Sequence, residues 1–512
     1  MIGRGAWRAA LAVLAVLLLA PLLITDMPPI LDYPNHLARL VLLAAGPDDP
    51  VLGPIFTPHW TIIPNLAIDL IGPPLLRLLP AHVAGRCLLG GVLLLNLAGV
   101  IVLHRALFGR RSLWPLASGL AAYGSTFLLG FLNWQISSGL AMLFAAGWMA
   151  WRERHPRATI AAATAASIVL FFCHLMGVAF FLILIASAEA HAMRRGWVLA
   201  RAVALLPVLA GPVLLSLLTE LRDAPAAMRW LSPHDKLVQM ASPFINYDFS
   251  LDMITALTLY GAAALGLMAG WFVLAPRALL AVVVLALLYA AAPFALKSTS
   301  FFDTRIAIML GFLLFAVIDP VRLPHRRLAT TCLAVLFCAR MAIVADVWAE
   351  QRRDLADVRA VIASVPPGAR VYQADNPPDT PPNGPDTTPR GRRLSNGLST
   401  NWHLSALLLI EHGAFWQGLF ADPAQQPIRL RPGYVRLARE ARGIPSYAAL
   451  MADPDNGIKA LHAFDFALML ETGADARLVD FVPRCLVLVA RNDFAALFRV
   501  VRDSPACAQA PS

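Results

Sequence analysis

The sequence predicts an all-α polytopic membrane bundle of about eleven transmembrane helices, followed by a small extracytoplasmic α/β domain. Three observations carry that expectation. The 512 residues are 58% hydrophobic and only 14% charged, where a soluble globular protein carries about 25% charged residues. Apolar runs long enough to span a bilayer recur at close intervals from residue 9 to residue 345. The connections between these runs alternate between basic and non-basic.

The net charge of +10 falls entirely before residue 346, because the remainder carries equal numbers of basic and acidic side chains. Basic excess in the membrane half is what insertion selects, so it gives no support to nucleic-acid binding. In an eleven-span arrangement, Arg4 and Arg8 share one side with Arg105, Arg110, Arg111, Arg152, Arg154, Arg157, Arg194, Arg195, Arg201, Arg277, Arg322, Arg326 and Arg327. That side reads as cytoplasm. The N-terminus is then inside, and loop 26–80 and the C-terminal part are outside. The expected location is a bacterial inner (plasma) membrane.

The first apolar run covers 9–25. It ends in Asp26 and Pro28, where a cleaved signal peptide would end in small residues, so it reads as a retained helix. Residues 26–80 form a long outer loop. Trp60 and its proline breaks point to short helices lying in the membrane interface. Further spans are expected near 83–103, 113–131, 133–151, 158–173, 175–191, 198–218, 254–274, 278–296, 304–320 and 328–345. His174 marks either a hairpin or a kink. Among the outer connections, 219–252 carries Arg222, Arg229 and Lys236, and 297–305 places Asp303 and Arg305 at the outer end of a late span.

Past residue 345 the composition changes. Residues 374–392 are rich in Pro, Asp, Gly and Thr and read as a flexible loop. Segments 370–372, 464–470, 485–489 and 496–501 read as strands, and 402–412 as a helix. Together they predict an α/β domain over 346–512 with its own core and no catalytic motif. Cys87, Cys173, Cys332 and Cys338 lie in apolar runs and read as small hydrophobes. Cys485 and Cys507 could pair if their domain lies outside the cytoplasm. No cysteine or histidine spacing defines a metal site.

Chemistry concentrates in residues 26–39. If Asp32 caps a helix, Pro34 falls in its first turn, where no backbone donor is lost. His36 and Arg39 follow on the same side of that helix. One reading makes Asp32 a cap and Arg39 a headgroup anchor. The other makes an acid, an imidazole and a guanidinium converge where the membrane meets water. Asp303 and Arg305 admit a similar pair of readings, as an ion pair at the interface or as ligand-facing groups.

On these residues the layout resembles the GT-C superfamily of polytopic glycosyltransferases, which includes protein O-mannosyltransferases, aminoarabinose transferases and oligosaccharyltransferases. The resemblance rests on an acid just after the first span, here Asp32 in Asp-Tyr-Pro-Asn-His-Leu-Ala-Arg. It rests also on an arginine at the outer end of a late span, here Arg305, and on a soluble domain after the last span. Many members carry a second acid where this chain has Tyr33. The resemblance implies transfer of a sugar from a polyprenyl-phosphate donor, with inversion, to a glycan, lipid or protein acceptor at the outer face. It implies Asp32 as general base, with Arg39, Arg305, Arg222, Arg229 and Lys236 as phosphate-binding cations and Asp303 beside the substrate. His36 could orient Asp32, bind the acceptor or ligate a divalent metal, and no cofactor is assigned. Trp402 and Trp416 could stack on a sugar, although such tryptophans are more often core residues. Two other classes stay open: a transporter or flippase of lipid-linked or small solutes, and a non-catalytic membrane scaffold. A transporter would show internal repeats and charges at mid-membrane depth, and the sequence shows neither.

Overall fold

The computed structural model describes residues 3–193, 198–219, 228–296, 299–375, 390–441, 460–472 and 486–502. Helix α1 (Arg4–Leu19) tightens into a 3₁₀ turn over Ala20–Leu23 as Pro21 enters. After Asp26 the chain builds short elements: α2 (Tyr33–Ala45), β1 (Phe56–Pro58) and α3 (Ala67–Leu76). Pro73 and Pro74 stand in the last turn of α3, which ends two residues later.

Helix α4 (Ala81–Phe108) ends on Gly109, whose φ of 68° is the left-handed cap that glycine adopts without cost. The next expected span, 113–131, is not a regular helix. It is a 3₁₀ stretch over Trp114–Ala121 and a single turn, α5 (Ser125–Leu128), both buried. Its glycines allow close backbone approach: a Cβ at Gly124 would lie 2.4 Å from the Pro243 carbonyl oxygen. Irregular backbone at membrane depth is tolerated only when protein surrounds it, as it does here.

Helix α6 (Leu132–Trp151) leads to α7 (Pro156–Cys173) and α8 (Leu175–Met193), separated by His174 in extended conformation. Glu189 near the end of α8 lies 3.2 Å from Arg152, which precedes α7. The far ends of the two helices therefore meet, and His174 closes a hairpin. Next come α9 (Val198–Val203) and α10 (Leu206–Leu217), broken before Pro207. The chain continues through β2 (Met228–Arg229), α11 (Pro233–Gln239), α12 (Phe249–Met268), β3 (Phe272–Leu274), α13 (Leu279–Ala291), β4 (Ala295–Leu296), α14 (Phe302–Ala316), β5 (Ile318–Pro320) and α15 (Arg326–Ile362).

Among the described residues, seven helical segments are long and apolar enough to cross a membrane: Arg4–Leu23, Ala81–Phe108, Pro156–Cys173, Leu175–Met193, Val198–Leu217, Phe249–Met268 and Arg326–Ile362. By length and composition this is a multi-pass membrane protein. The structure does not reproduce eleven regular spans. The segment 113–131 is irregular, and α13 and α14 have 13 and 15 residues, short of the roughly 20 that a bilayer requires. Helix α6 is long enough, but it opens with Asn133, Gln135, Ser137 and Ser138 buried among other helices.

Helix α15 passes the expected boundary at 345/346 without a break. Its 37 residues reach about 55 Å at 1.5 Å per residue, against a hydrocarbon core of about 30 Å. The remaining chain forms β6 (Arg370–Asp375), α16 (Leu407–His412), β7 (Phe415–Trp416), β8 (Ile428–Leu430), α17 (Pro432–Glu440), β9 (Phe466–Leu470), β10 (Leu486–Arg491) and β11 (Ala495–Val500). Five strands make one mixed sheet in the order β10-β11-β9-β6-β7, with β6 parallel to both its neighbours. β8 leaves that sheet and pairs with β1 of the first loop, Phe56 opposite Leu430.

Ion pairs fasten this α/β part to the helices. Arg359 on α15 bonds Asp26 at 2.7 Å and Glu411 at 2.6 Å, and His82 on α4 reaches Glu411 at 2.8 Å. Burial pushes the Glu411 carboxyl up, but the hydrogen bonds from His82 and Arg359 outweigh it and hold it at about 2. Arg392 at the end of the expected flexible loop bonds Asp354 of α15 at 2.7 Å. Arg222, Cys485 and Cys507 lie outside the described residues.

Candidate active site

Asp32 stands at the N-cap of α2 with Pro34 in the first turn, as the sequence suggests, but its side chain makes no capping hydrogen bond. The carboxylate is therefore available to partners off its own helix. Its backbone is seated by the turn at Gly130. Leu31 and Asp32 donate N–H groups to the Leu128 and Leu129 carbonyls at 2.9 and 3.2 Å. Gly130 has φ of 82°, and a Cβ there would lie 2.9 Å from the Tyr33 nitrogen. Only glycine meets both demands.

The acid opens into a cavity of about 860 Å³ between the helices and the chain segment 419–438. Asp32, His36, Arg39, His174, Phe131 and Arg305 line it from the helical side. Phe420, Gln425, Gln426 and Arg429 line it from the α/β side. The structure thus brings Asp32, His36, Arg39 and Arg305 to one chamber, although Arg305 lies far along the chain from the others.

The four differ in how much of their chemistry is already spent. Arg39 is buried and holds Asp69 by a two-pronged pair, Nε to Oδ1 at 2.7 Å and Nη2 to Oδ2 at 3.1 Å. Its charge is matched within the protein. Arg305 is 7% exposed and forms no ion pair among the described residues. Its Nη1 donates to the Ser300 and Phe301 carbonyls at 2.7 and 3.0 Å, its guanidinium lies 4.4 Å from the Phe131 ring centre, and its Nε is buried without a partner. Asp32 is the acid whose charge it feels. Phe301 ahead of α14 takes φ of 60°, a strained left-handed residue beside the cavity.

His403 approaches the carboxylate of Asp32, with its Nε2 3.3 Å from Oδ1. His36, for which orienting Asp32 is one expected role, has a buried Nδ1 with no partner among the described residues. Burial, with the nearby charge of Arg39, pushes its imidazole well below the usual range, which favours the neutral ring. His174 accepts the Met176 N–H on Nδ1 at 3.1 Å, which leaves its proton on Nε2. The Trp134 indole N–H, also at the cavity wall, is buried without a hydrogen-bond partner among the described residues.

The remaining expected residues lie elsewhere. Asp303 does not pair with Arg305, since residues two apart on a helix face different ways. It accepts from Gln239 at 2.8 Å and faces Lys236 at 3.5 Å, and Lys236 also donates to the Ala292 carbonyl. Arg229 stacks 4.6 Å from the Phe294 ring centre. None of Asp303, Lys236 and Arg229 lines the cavity. Trp416 is fully buried in β7, and Trp402 is exposed and also absent from the lining. Among the described residues, no group of three or more His, Cys, Asp and Glu could hold a metal ion. His403 and Phe420 were not anticipated. No local motif marks them, because only the fold carries them to Asp32.

No family model matches this chain, and no curated protein does. A solved structure of the arabinofuranosyltransferase AftD from mycobacteria aligns with 98% of this chain and 40% of its own, at 14% identity and a TM-score of 0.48. That likeness is too slight to assign a fold family or an activity.

Proposed function

We propose that this protein is a membrane glycosyltransferase that takes a sugar from a polyprenyl-phosphate donor and passes it to an envelope glycan, lipid or protein at the outer face of a bacterial inner membrane. One observation carries the reading: a single chamber holds an acid spent on neither capping nor an arginine pair, and opposite it a buried guanidinium with no acid of its own. A buried cation without a partner is costly unless an anion visits it.

In this reading the acceptor hydroxyl attacks the anomeric carbon from one face while the bond to the phosphate oxygen breaks on the other, with inversion. Asp32 takes the hydroxyl proton as general base. Arg305 receives the charge developing on the departing lipid phosphate, and its forked geometry suits that role. Neutral His36 and the amide groups of Gln425 and Gln426 offer hydrogen bonds to sugar hydroxyls. Arg39, already matched by Asp69, shapes the wall.

A second feature supports a lipid-linked donor. An apolar groove of about 350 Å³ is lined by Leu175, Met176, Phe302 and Ile306, the chain neighbours of His174, Phe301 and Arg305. A prenyl chain could lie there while its phosphate reaches Arg305. A scaffold would not require an open chamber at this place.

The test is release of polyprenyl phosphate from a polyprenyl-phosphate sugar by the purified protein in the presence of envelope lipid extract. Release with a glycosylated product is the expected result. Absence of both, across pentose and hexose donors, would contradict the reading.

A further inference from the structure

Asp32 lies in the first loop of the helical part, yet the imidazole 3.3 Å from its carboxylate comes from the α/β part. The chemistry of that contact can be read atom by atom. The Asn35 side chain is fixed by two backbone groups: its Oδ1 accepts the Phe420 N–H at 2.8 Å, and its Nδ2 donates to the Gly418 carbonyl at 2.6 Å. The amide nitrogen is therefore the atom facing His403 Nδ1, at 3.2 Å. An amide nitrogen can only donate. His403 Nδ1 must accept, so the proton of the neutral ring sits on Nε2, the atom 3.3 Å from Asp32 Oδ1. The Phe420 ring closes on the imidazole edge-on, with centroids 4.8 Å apart, and His403 is 8% exposed.

We propose that His403 is a positioning residue for Asp32, donating a fixed Nε2–H to one carboxylate oxygen and leaving the other turned to the acceptor. Oδ1 is the oxygen within reach of His403 Nε2, at 3.3 Å, which leaves Oδ2 as the proton acceptor. Asn35, three residues along α2, selects the tautomer, and Phe420 fixes the ring plane. The α/β part thereby completes the site by fixing the plane of the carboxylate. The inference rests on the transferase reading for its kinetic consequence, but not for its structural content.

Two measurements on the full-length protein test it separately. Where transfer is seen, His403→Phe keeps the packing against Phe420 but removes the donor. Expected is a fall in kcat of about tenfold to hundredfold, the scale of one hydrogen bond to a charged group, with KM for the lipid-linked donor unchanged. His403→Gln, whose amide N–H can reach Asp32, should recover most of that loss. Loss of thermal stability with unaltered kcat, or no recovery by Gln, overturns the positioning role. Independently of any activity, ¹⁵N-histidine NMR should show the His403 resonance, assigned by its absence in His403→Gln, protonated on Nε2 and moving in Asp32→Asn. A proton on Nδ1, or a signal indifferent to Asp32→Asn, overturns the inference even if transfer is observed. Absence of transfer together with the expected NMR signature retires the transferase reading and leaves the Asn35–His403–Asp32 arrangement standing.

Discussion

Arg39 and Arg305 make an instructive pair. Both are buried, both line the same chamber, and both lie in a protein with few charges to spare. Arg39 is closed: Asp69 takes two of its three nitrogens. Arg340 is closed in the same way, by Asp252 at 2.8 Å, and Ser395 from the α/β part donates to the other oxygen of that acid at 2.7 Å. Arg305 is open: among the described residues it is tied only to backbone carbonyls and an aromatic face. Closed pairs hold helices to one another. Burial alone therefore does not separate these arginines; the presence of an acid beside Arg39 and Arg340 does.

The contrast can be broken by substitution. Asp32→Asn removes the proton acceptor and should cut transfer by about 10²- to 10⁴-fold, the range of general base catalysis, with the thermal midpoint unchanged. Arg305→Gln should lower transfer by about 10²- to 10³-fold, the cost of losing one group that stabilises developing charge, and should leave stability near that of the parent. Arg39→Gln should do the reverse. It strands Asp69 in the interior and should cost about 3–5 kcal/mol of stability, whereas the double change Arg39→Leu with Asp69→Leu should return much of it. If Arg305→Gln unfolds the protein as readily as Arg39→Gln, the distinction between open and closed cations fails.

The smallest effect concerns pH. Glu411 is held at about 2, below its ordinary 4.5, by His82 and Arg359 against the upward push of burial. A carboxyl depressed on folding contributes stability that is complete above its unfolded value and fades as pH falls toward the folded one. The link between α16, α4 and α15 should therefore weaken between about pH 4.5 and pH 2. The thermal midpoint of the parent should fall over that window, and that of Glu411→Gln should fall less. Asp465, held at about 2 by Arg370 and Arg502 against burial, acts in the same direction within the α/β part.

What could be read from the sequence follows the range of the interactions involved. The proline in the first turn after Asp32 and the three-and-four spacing of His36 and Arg39 are local, and both appear as expected. Hydropathy marks the membrane segments, but it cannot tell a lipid-facing helix from the buried irregular stretch at 114–128, which is equally apolar. The glycines and Pro115 in that stretch were the available signal, since they break a helix and admit close neighbours. The match of Arg39 to Asp69 spans 30 positions, and the hold of His403 on Asp32 spans 371. No periodicity reports contacts of that kind. Asp303 and Arg305 show the converse: nearness in sequence left an ion pair open as one of two readings, and helical geometry excludes it.

Binding of a polyprenyl-phosphate sugar to the parent, Asp32→Asn and Arg305→Gln, measured by native mass spectrometry alongside turnover, bears most directly on the shared chamber. Asp32→Asn should retain the donor and fail to turn it over, and Arg305→Gln should lose the donor. Equal donor binding by Arg305→Gln and the parent, or undiminished turnover by Asp32→Asn, would contradict it.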